Sequence, residues 1–351
     1  MYGLEGASTD GDEGNPNLEV YWRGALSDYV TCIAWSPDGT ILAASSAAGE
    51  VVLWRGMEDL LTLLPPAATS IDCLAFSHDG QFLAAGGQDG RVQIWRSPNF
   101  ELVATLKNAP AWVDKLAWNP LLNQLAFSLG RYVQVWDGDT GNIAATLNFE
   151  ASSVFDIVWH PDGKILTVAG YQGVKAWNSG DWNAKPYLLE VPTASLAIAW
   201  SHDGKYLASG NFDRTLTVLE WNNPLPWVMR GLPGKVRSLD WSQPVSSVGA
   251  PLLALSSAEG VVVWEKHESE SVGWQGRVLE SHEGVVSAIA FQPNATLLAS
   301  AAIDGWLCLW DNAQELAQAL DGAPKGFSCL GWHPQGYQLA AGGINGELLI
   351  W

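Results

Sequence analysis

One motif recurs eight times along the chain, and its spacing restricts the fold more than any other feature. At Trp35, Phe76, Trp118, Trp159, Trp200, Trp241, Phe291 and Trp332 an aromatic residue closes a short apolar run and leads into a turn rich in Ser, Pro, Asp and Gly. Successive aromatics are 41, 42, 41, 41, 41, 50 and 41 residues apart. A fixed period of this size marks stacked repeats, each burying its apolar faces only against its neighbours. The 351 residues would otherwise allow two or three ordinary domains, and the repetition makes them one body instead.

Each unit continues alike. A run of small residues such as Leu83-Ala84-Ala85-Gly86 follows the turn, then a glycine-containing turn such as Gln88-Asp89-Gly90. A β-branched run then ends in Trp54, Trp95, Trp136, Trp177, Leu219, Trp264, Trp310 or Trp351, and runs of this kind between Gly and Pro predict strands. A fourth, more variable strand follows the first seven units, as at Glu101 to Lys107 and Asn142 to Phe149. The eighth unit has none, while a similar run, residues 18–25, precedes the first unit. An outer strand taken from the other end of the chain would close a ring and leave no interior edge unpaired.

These residues resemble the WD40-repeat β-propeller family across residues 18–351. The Trp-Asp dipeptide itself stands at Trp136-Asp137 and Trp310-Asp311. The expected architecture is all-β: one eight-bladed propeller, with residues 18–25 as the outer strand of the last blade and an acidic tail, 1–17, of disordered composition. The resemblance also implies a hydrogen-bonded His/Ser/Asp/Trp tetrad, complete only in the seventh unit as His282, Ser300, Asp304 and Trp310. Other units keep Asp89 or Asp213 without the histidine, or carry Glu259 or Asn345. Packing between blades must then carry more of the stability, and twenty tryptophans supply the apolar area.

Thirty-seven acidic residues against 18 basic ones give a formal charge of −19, which disfavours nucleic acid and anionic membrane as partners. No apolar run approaches the roughly 18 residues that span a bilayer, and the acidic start predicts neither leader nor anchor. Cys32, Cys73, Cys308 and Cys329 lie in apolar runs, which predicts buried thiols and a cytoplasmic setting.

Little in the sequence points to chemistry. His78, His160, His202 and His333 occupy the first turns and are read as solvent-exposed turn residues, while His267 lies in a charged loop. Cys32, Cys73 and Cys329 share one repeat position, filled elsewhere by Ala197, Ser238 and Ala288, so small-residue packing is favoured over a thiolate site. The repeated Asp-Gly pairs are turn chemistry, and neither a nucleophile elbow nor a phosphate loop occurs. No catalytic residue, metal or cofactor is predicted.

The resemblance implies that the connections into first strands and the turns after second strands share one face, the top. At its contact positions stand Tyr29, Trp112, Phe155, Tyr171 and Phe212, with Lys235 and Arg237 in the sixth unit. Exposed aromatics beside a basic corner would suit a short peptide with a hydrophobic anchor and an acidic end; the alternative is that these rings fold back into the core. The sixth unit also has insertions around Ser246 to Gly249 and from Glu265 to Trp274, either tolerated loops or a second docking site. The expected function is a non-catalytic scaffold for a protein or peptide, a monomeric propeller within a complex. Two alternatives stay open: an enzyme or metal protein using the central channel, and a substrate-recognition subunit of a larger assembly.

Overall fold

The computed structural model describes residues 18–56, 60–258 and 260–351, with only the backbone of Pro192. The predicted tail, 1–17, and Glu259 lie outside the described residues. Among these, every regular element is a β-strand, arranged in antiparallel sheets, six of four strands and one of six.

Short turns set the pairing. Val30–Trp35, Leu42–Ser46, Val51–Trp54 and Leu61–Leu64 form a sheet in chain order, as antiparallel strands joined by tight connections do. In the turn after Trp35 the Ser36 hydroxyl donates to Asp38 (2.6 Å), the Gly39 N–H donates to the Ser36 carbonyl (2.8 Å), and Gly39 has φ +75°. The Ser36 hydrogen bond holds the Asp38 carboxyl below its usual range.

One sheet joins the two ends of the chain. Trp22–Ala25 pairs antiparallel with Glu347–Ile350, Trp22 opposite Ile350 and Ala25 opposite Glu347. This strand is shorter than the predicted 18–25; Leu18 is held instead by the Gln318 side chain, which accepts from its N–H (2.9 Å) and donates to its carbonyl (2.8 Å). Val30, Leu42 and Trp54 share one apolar cluster with Ala340, Leu348 and Ile350. First strands contact each other in chain order, and Phe327–Trp332 contacts Val30–Trp35.

Sheets stacked face to face leave their second strands covered on both sides. Leu42–Ser46, Phe82–Gly87, Tyr206–Asn211, Leu298–Ala302 and Leu339–Gly343 are buried at every residue, which accounts for their small side chains. At Gly86 an added methyl would meet Val113 Cγ1 at 2.5 Å, and at Gly342 it would meet Val30 Cγ1 at 2.4 Å. Each valine belongs to the next unit and is fully buried, so glycine there lets the neighbouring sheet close up.

The recurring aromatic is a staple between sheets. The indole N–H groups of Trp35, Trp118, Trp159, Trp241 and Trp332 donate to the carbonyls of Gly331, Ala75, Ala117, Ala199 and Ala290 at 3.0–3.2 Å. Each acceptor immediately precedes the closing aromatic of the unit before, where a small residue admits the ring. Phe291 has no such donor. At its seam Asp240 accepts the backbone N–H groups of Phe291 (2.7 Å) and Trp241 (2.9 Å), and burial pushes its carboxyl up to about 6.

A second latch uses the residue after the aromatic. Asn119 donates to the Gly163 carbonyl (2.8 Å), Gln292 to Gly336 (2.6 Å), and the Nε2–H groups of His160 and His333 to Gly204 (3.1 Å) and Gly39 (3.2 Å). This corrects the reading of the turn histidines as solvent-exposed. His78 and His202 are exposed, but His160 is half-buried and His333 is 1% exposed, because each ring spans the gap to the next turn.

Candidate partner-binding face

Antiparallel pairing brings the start of each first strand beside the end of the second. Tyr29 directly precedes Val30–Trp35, and its carbonyl accepts from Ala47 N–H (2.9 Å). Phe155 N–H donates to Ala169 just before Asp156–Trp159, and Phe212 N–H to Ala194 just after Tyr206–Asn211, both at 2.9 Å. Tyr171 lies within Ile165–Asn178, Trp112 in the connection into Leu116–Trp118, and Lys235 and Arg237 at the start of Val236–Val245.

Tyr29, Trp112, Phe155, Tyr171 and Phe212 are 36–55% exposed, with Trp112 the most open. Lys235 Nζ lies 4.2 Å from the Phe212 ring centroid, a cation–π contact that joins the fifth and sixth units. Partial burial raises the Tyr29 phenol above its ordinary value. Sequence reasoning missed Ile303 and Trp306, both nearly half exposed at the matching turn of the seventh unit. Ile303 stands before Asp304 as Phe212 stands before Asp213, so the repeat alignment held this signal.

The tetrad residues form one hydrogen-bonded chain. Trp310 Nε1–H donates to Ser300 Oγ (2.8 Å), Ser300 Oγ lies 2.8 Å from His282 Nε2, and His282 Nδ1 lies 3.1 Å from Asp304 Oδ2. Burial lowers the His282 pKa despite Asp304, which favours the neutral ring with its proton on Nδ1 and the Ser300 hydroxyl donating to Nε2. Asp304 also accepts from the N–H groups of Glu283 and Trp306, both at 2.9 Å, and so fixes the turn that carries Trp306. Ala44, Phe127 and Leu255 stand where Ser300 does. The indole N–H groups of Trp54, Trp136 and Trp264 are accordingly buried without a partner among the described residues.

The inner strands place Lys115 and Asp156 at the repeat position of the three cysteines, a pairing sequence reasoning passed over. Lys115 Nζ lies 3.3 Å from Asp156, whose charge raises the lysine pKa, and Asp156 also accepts the Ile198 N–H (3.0 Å). The thiols of Cys32 and Cys73 donate to the Leu74 and Val113 carbonyls of following units, at 3.8 and 3.4 Å. Burial raises all three thiol pKa values, that of Cys329 to about 12. Among the described residues no group of three or more His, Cys, Asp and Glu could hold a metal.

The longer insertion of the sixth unit packs on the fifth. Lys266 Nζ lies 5.1 Å from the Trp227 ring centroid and 3.3 Å from Glu270, and His267 N–H donates to Gly273 across the loop (2.8 Å).

Repeated four-stranded sheets, stapling aromatics and the complete tetrad of the seventh unit define a WD-repeat propeller. The WD domain, G-beta repeat (WD40) model matches residues 18–55, 59–96, 190–219, 273–311 and 314–351, more than half of the chain, which belongs to this family. Among curated proteins it is similar to Protein Atg16l2 of Homo sapiens, 27% identical over 32% of this chain and 22% of that protein. It is also similar to Nuclear distribution protein nudF 2 of Aspergillus clavatus, 32% identical over 26% of this chain and 20% of that protein. The alignments span about a fifth of the length of these relatives. A chain in the crystal structure of the Mitotic Checkpoint Complex shares the fold, with a TM-score of 0.67 and 20% identity over 89% of this chain and 97% of that one.

Proposed function

We propose that the chain is a non-catalytic interaction scaffold, a closed eight-bladed ring whose aromatic top face holds a protein or peptide. The observation that carries this reading is the set of large rings at recurring positions, exposed rather than folded into the core. Aromatic residues left open to solvent around a rigid scaffold have the composition of interface anchors. The pair Lys235 and Phe212 and the neighbouring Arg237 offer a basic corner to an acidic end of the partner.

The count of eight rests on the six-stranded sheet. Ile165–Asn178 contains Gln172 and Gly173 with φ +69° and +131°, the sign of a chain reversal between two strands of one blade. Tyr187–Trp200 pairs on one side through Tyr187 to Glu190 and on the other through Ser195 to Trp200, so it serves as the last strand of the fourth blade and the first of the fifth. Closure is supported by the pairing of Trp22–Ala25 with Glu347–Ile350.

The direct test replaces Trp112 and Phe155 together by Ala. Recovery of the protein partner should drop at least tenfold while the melting temperature stays within a few degrees of wild type, as for two exposed hot-spot residues. Undiminished recovery would remove this face from consideration.

A further inference from the structure

Beside Tyr171 the fourth unit carries a cavity of ≈ 510 Å³, with Tyr171, Leu188, Val191 and Phe149 among its walls. Its cation is Lys175, whose side chain is only 15% exposed. The ammonium lies 5.4 Å from the Phe149 ring centroid and donates to the Phe149 carbonyl and to Glu150 Oε2, both at 2.9 Å. Glu150 itself is 73% exposed at its side chain.

The backbone at Glu150 is unusual. Its φ is +71°, and the Ala151 N–H donates to the Phe149 carbonyl at 2.9 Å, which closes a γ-turn in its rare, strained form. Asn148 Oδ1 accepts the Glu150 N–H (2.9 Å) and supports this conformation. An ion pair with so exposed a carboxylate contributes little to stability, so the pair does not account for the strain. Strain of this kind gathers at ligand clamps, where the surroundings hold a residue in place for binding.

We propose that the Glu150 carboxylate is an intramolecular stand-in for a ligand, and that the cavity receives an Asp or Glu side chain of the docked partner. The incoming carboxylate replaces Glu150 on Lys175, and its methylenes lie against Leu188 and Tyr171. The exchange keeps Lys175 paired and releases Glu150 into water, where it already lies mostly exposed. Charge complementarity at the ammonium selects the occupant: Lys175 is the cavity's one cationic wall residue, and of the two wall carboxylates, Glu150 and Glu190, it is Glu150 that holds the position on Lys175 which the incoming carboxylate would take. This inference rests on the reading of the top face as a docking surface and assigns one of its pockets.

The test uses capped amino acids as probes, N-acetyl-glutamate amide against N-acetyl-glutamine amide, followed by the backbone amide NMR shifts of Ala151 and Gln172. A ligand of this size in a partly open pocket is expected to bind with about millimolar Kd. Glu150→Gln removes the internal competitor and should tighten binding of the glutamate probe by roughly fivefold. Lys175→Met should abolish it, while Lys175→Arg, which keeps the charge, should retain it. Equal binding of both probes, or a Glu150→Gln variant no tighter than wild type, overturns the proposal. The Trp112→Ala/Phe155→Ala variant leaves the cavity walls intact and should bind the glutamate probe as wild type does. A variant that binds the probe and still recovers partner sinks the docking reading alone; partner lost there with no glutamate selectivity in any variant sinks the cavity assignment alone.

Discussion

Asp240 stands where the other units carry Ala34, Ala75, Ala117, Val158, Ala199, Ala290 and Gly331. That break in the pattern is visible in the sequence, but its meaning is not. Asp240 lies at the seam with Phe291, which brings no indole donor, and there the carboxylate accepts the Phe291 backbone N–H instead. Burial raises the Asp240 carboxyl from an ordinary 3.8 to about 6. The folded chain therefore holds a proton that the unfolded chain releases between these values. The contribution of Asp240 to stability is full below about pH 4 and is lost as pH rises through about 6. Asp240→Asn cannot ionise and keeps only one of the two acceptor oxygens, so its stability relative to the wild type should rise between pH 4 and pH 7. The gain is at most about 3 kcal/mol, read from urea denaturation across that range. A constant difference between the two proteins over that range would show that Asp240 titrates normally.

Most strands were legible, because small residues mark the buried second strands and β-branched residues the third. The closing aromatics were legible as landmarks but not as donors, since a staple to the preceding unit is a contact between residues about 42 positions apart. Trp118→Phe keeps a six-membered aromatic ring but removes the indole N–H that reaches Ala75 together with the pyrrole part of the ring. It should lower stability by at least about 1 kcal/mol in chemical denaturation, as the Ala75 carbonyl loses its donor and the seam loses part of its packing. No loss would mean that neither the hydrogen bond nor the pyrrole part of the ring contributes to the seam. His333 was misread for the same reason: its position in a polar turn suggests exposure, and only the approach of Gly39 from the first unit buries it. The γ-turn at Glu150 has no glycine to announce it, so neither the strain nor the cavity could be read from residue types.

At the scale of the molecule, the candidate face was legible as positions and illegible as geometry. The family resemblance implied Tyr29, Trp112, Phe155, Tyr171 and Phe212 as contact positions, whereas the contact of Lys235 with Phe212 and the exposure of Trp306 needed coordinates. The proposed docking face would depend on a body rigid enough to hold side chains from many units in fixed relation, which a closed ring provides. In the proposed ring the seam between Trp22–Ala25 and Glu347–Ile350 carries that requirement. Hydrogen exchange of the amides in Glu347–Ile350 tests it most directly. In the full chain they should exchange as slowly as those of Val51–Trp54, and in a chain beginning at Leu26 their protection should collapse by orders of magnitude. Equal protection in the two chains would contradict a ring sealed by the strand at its beginning.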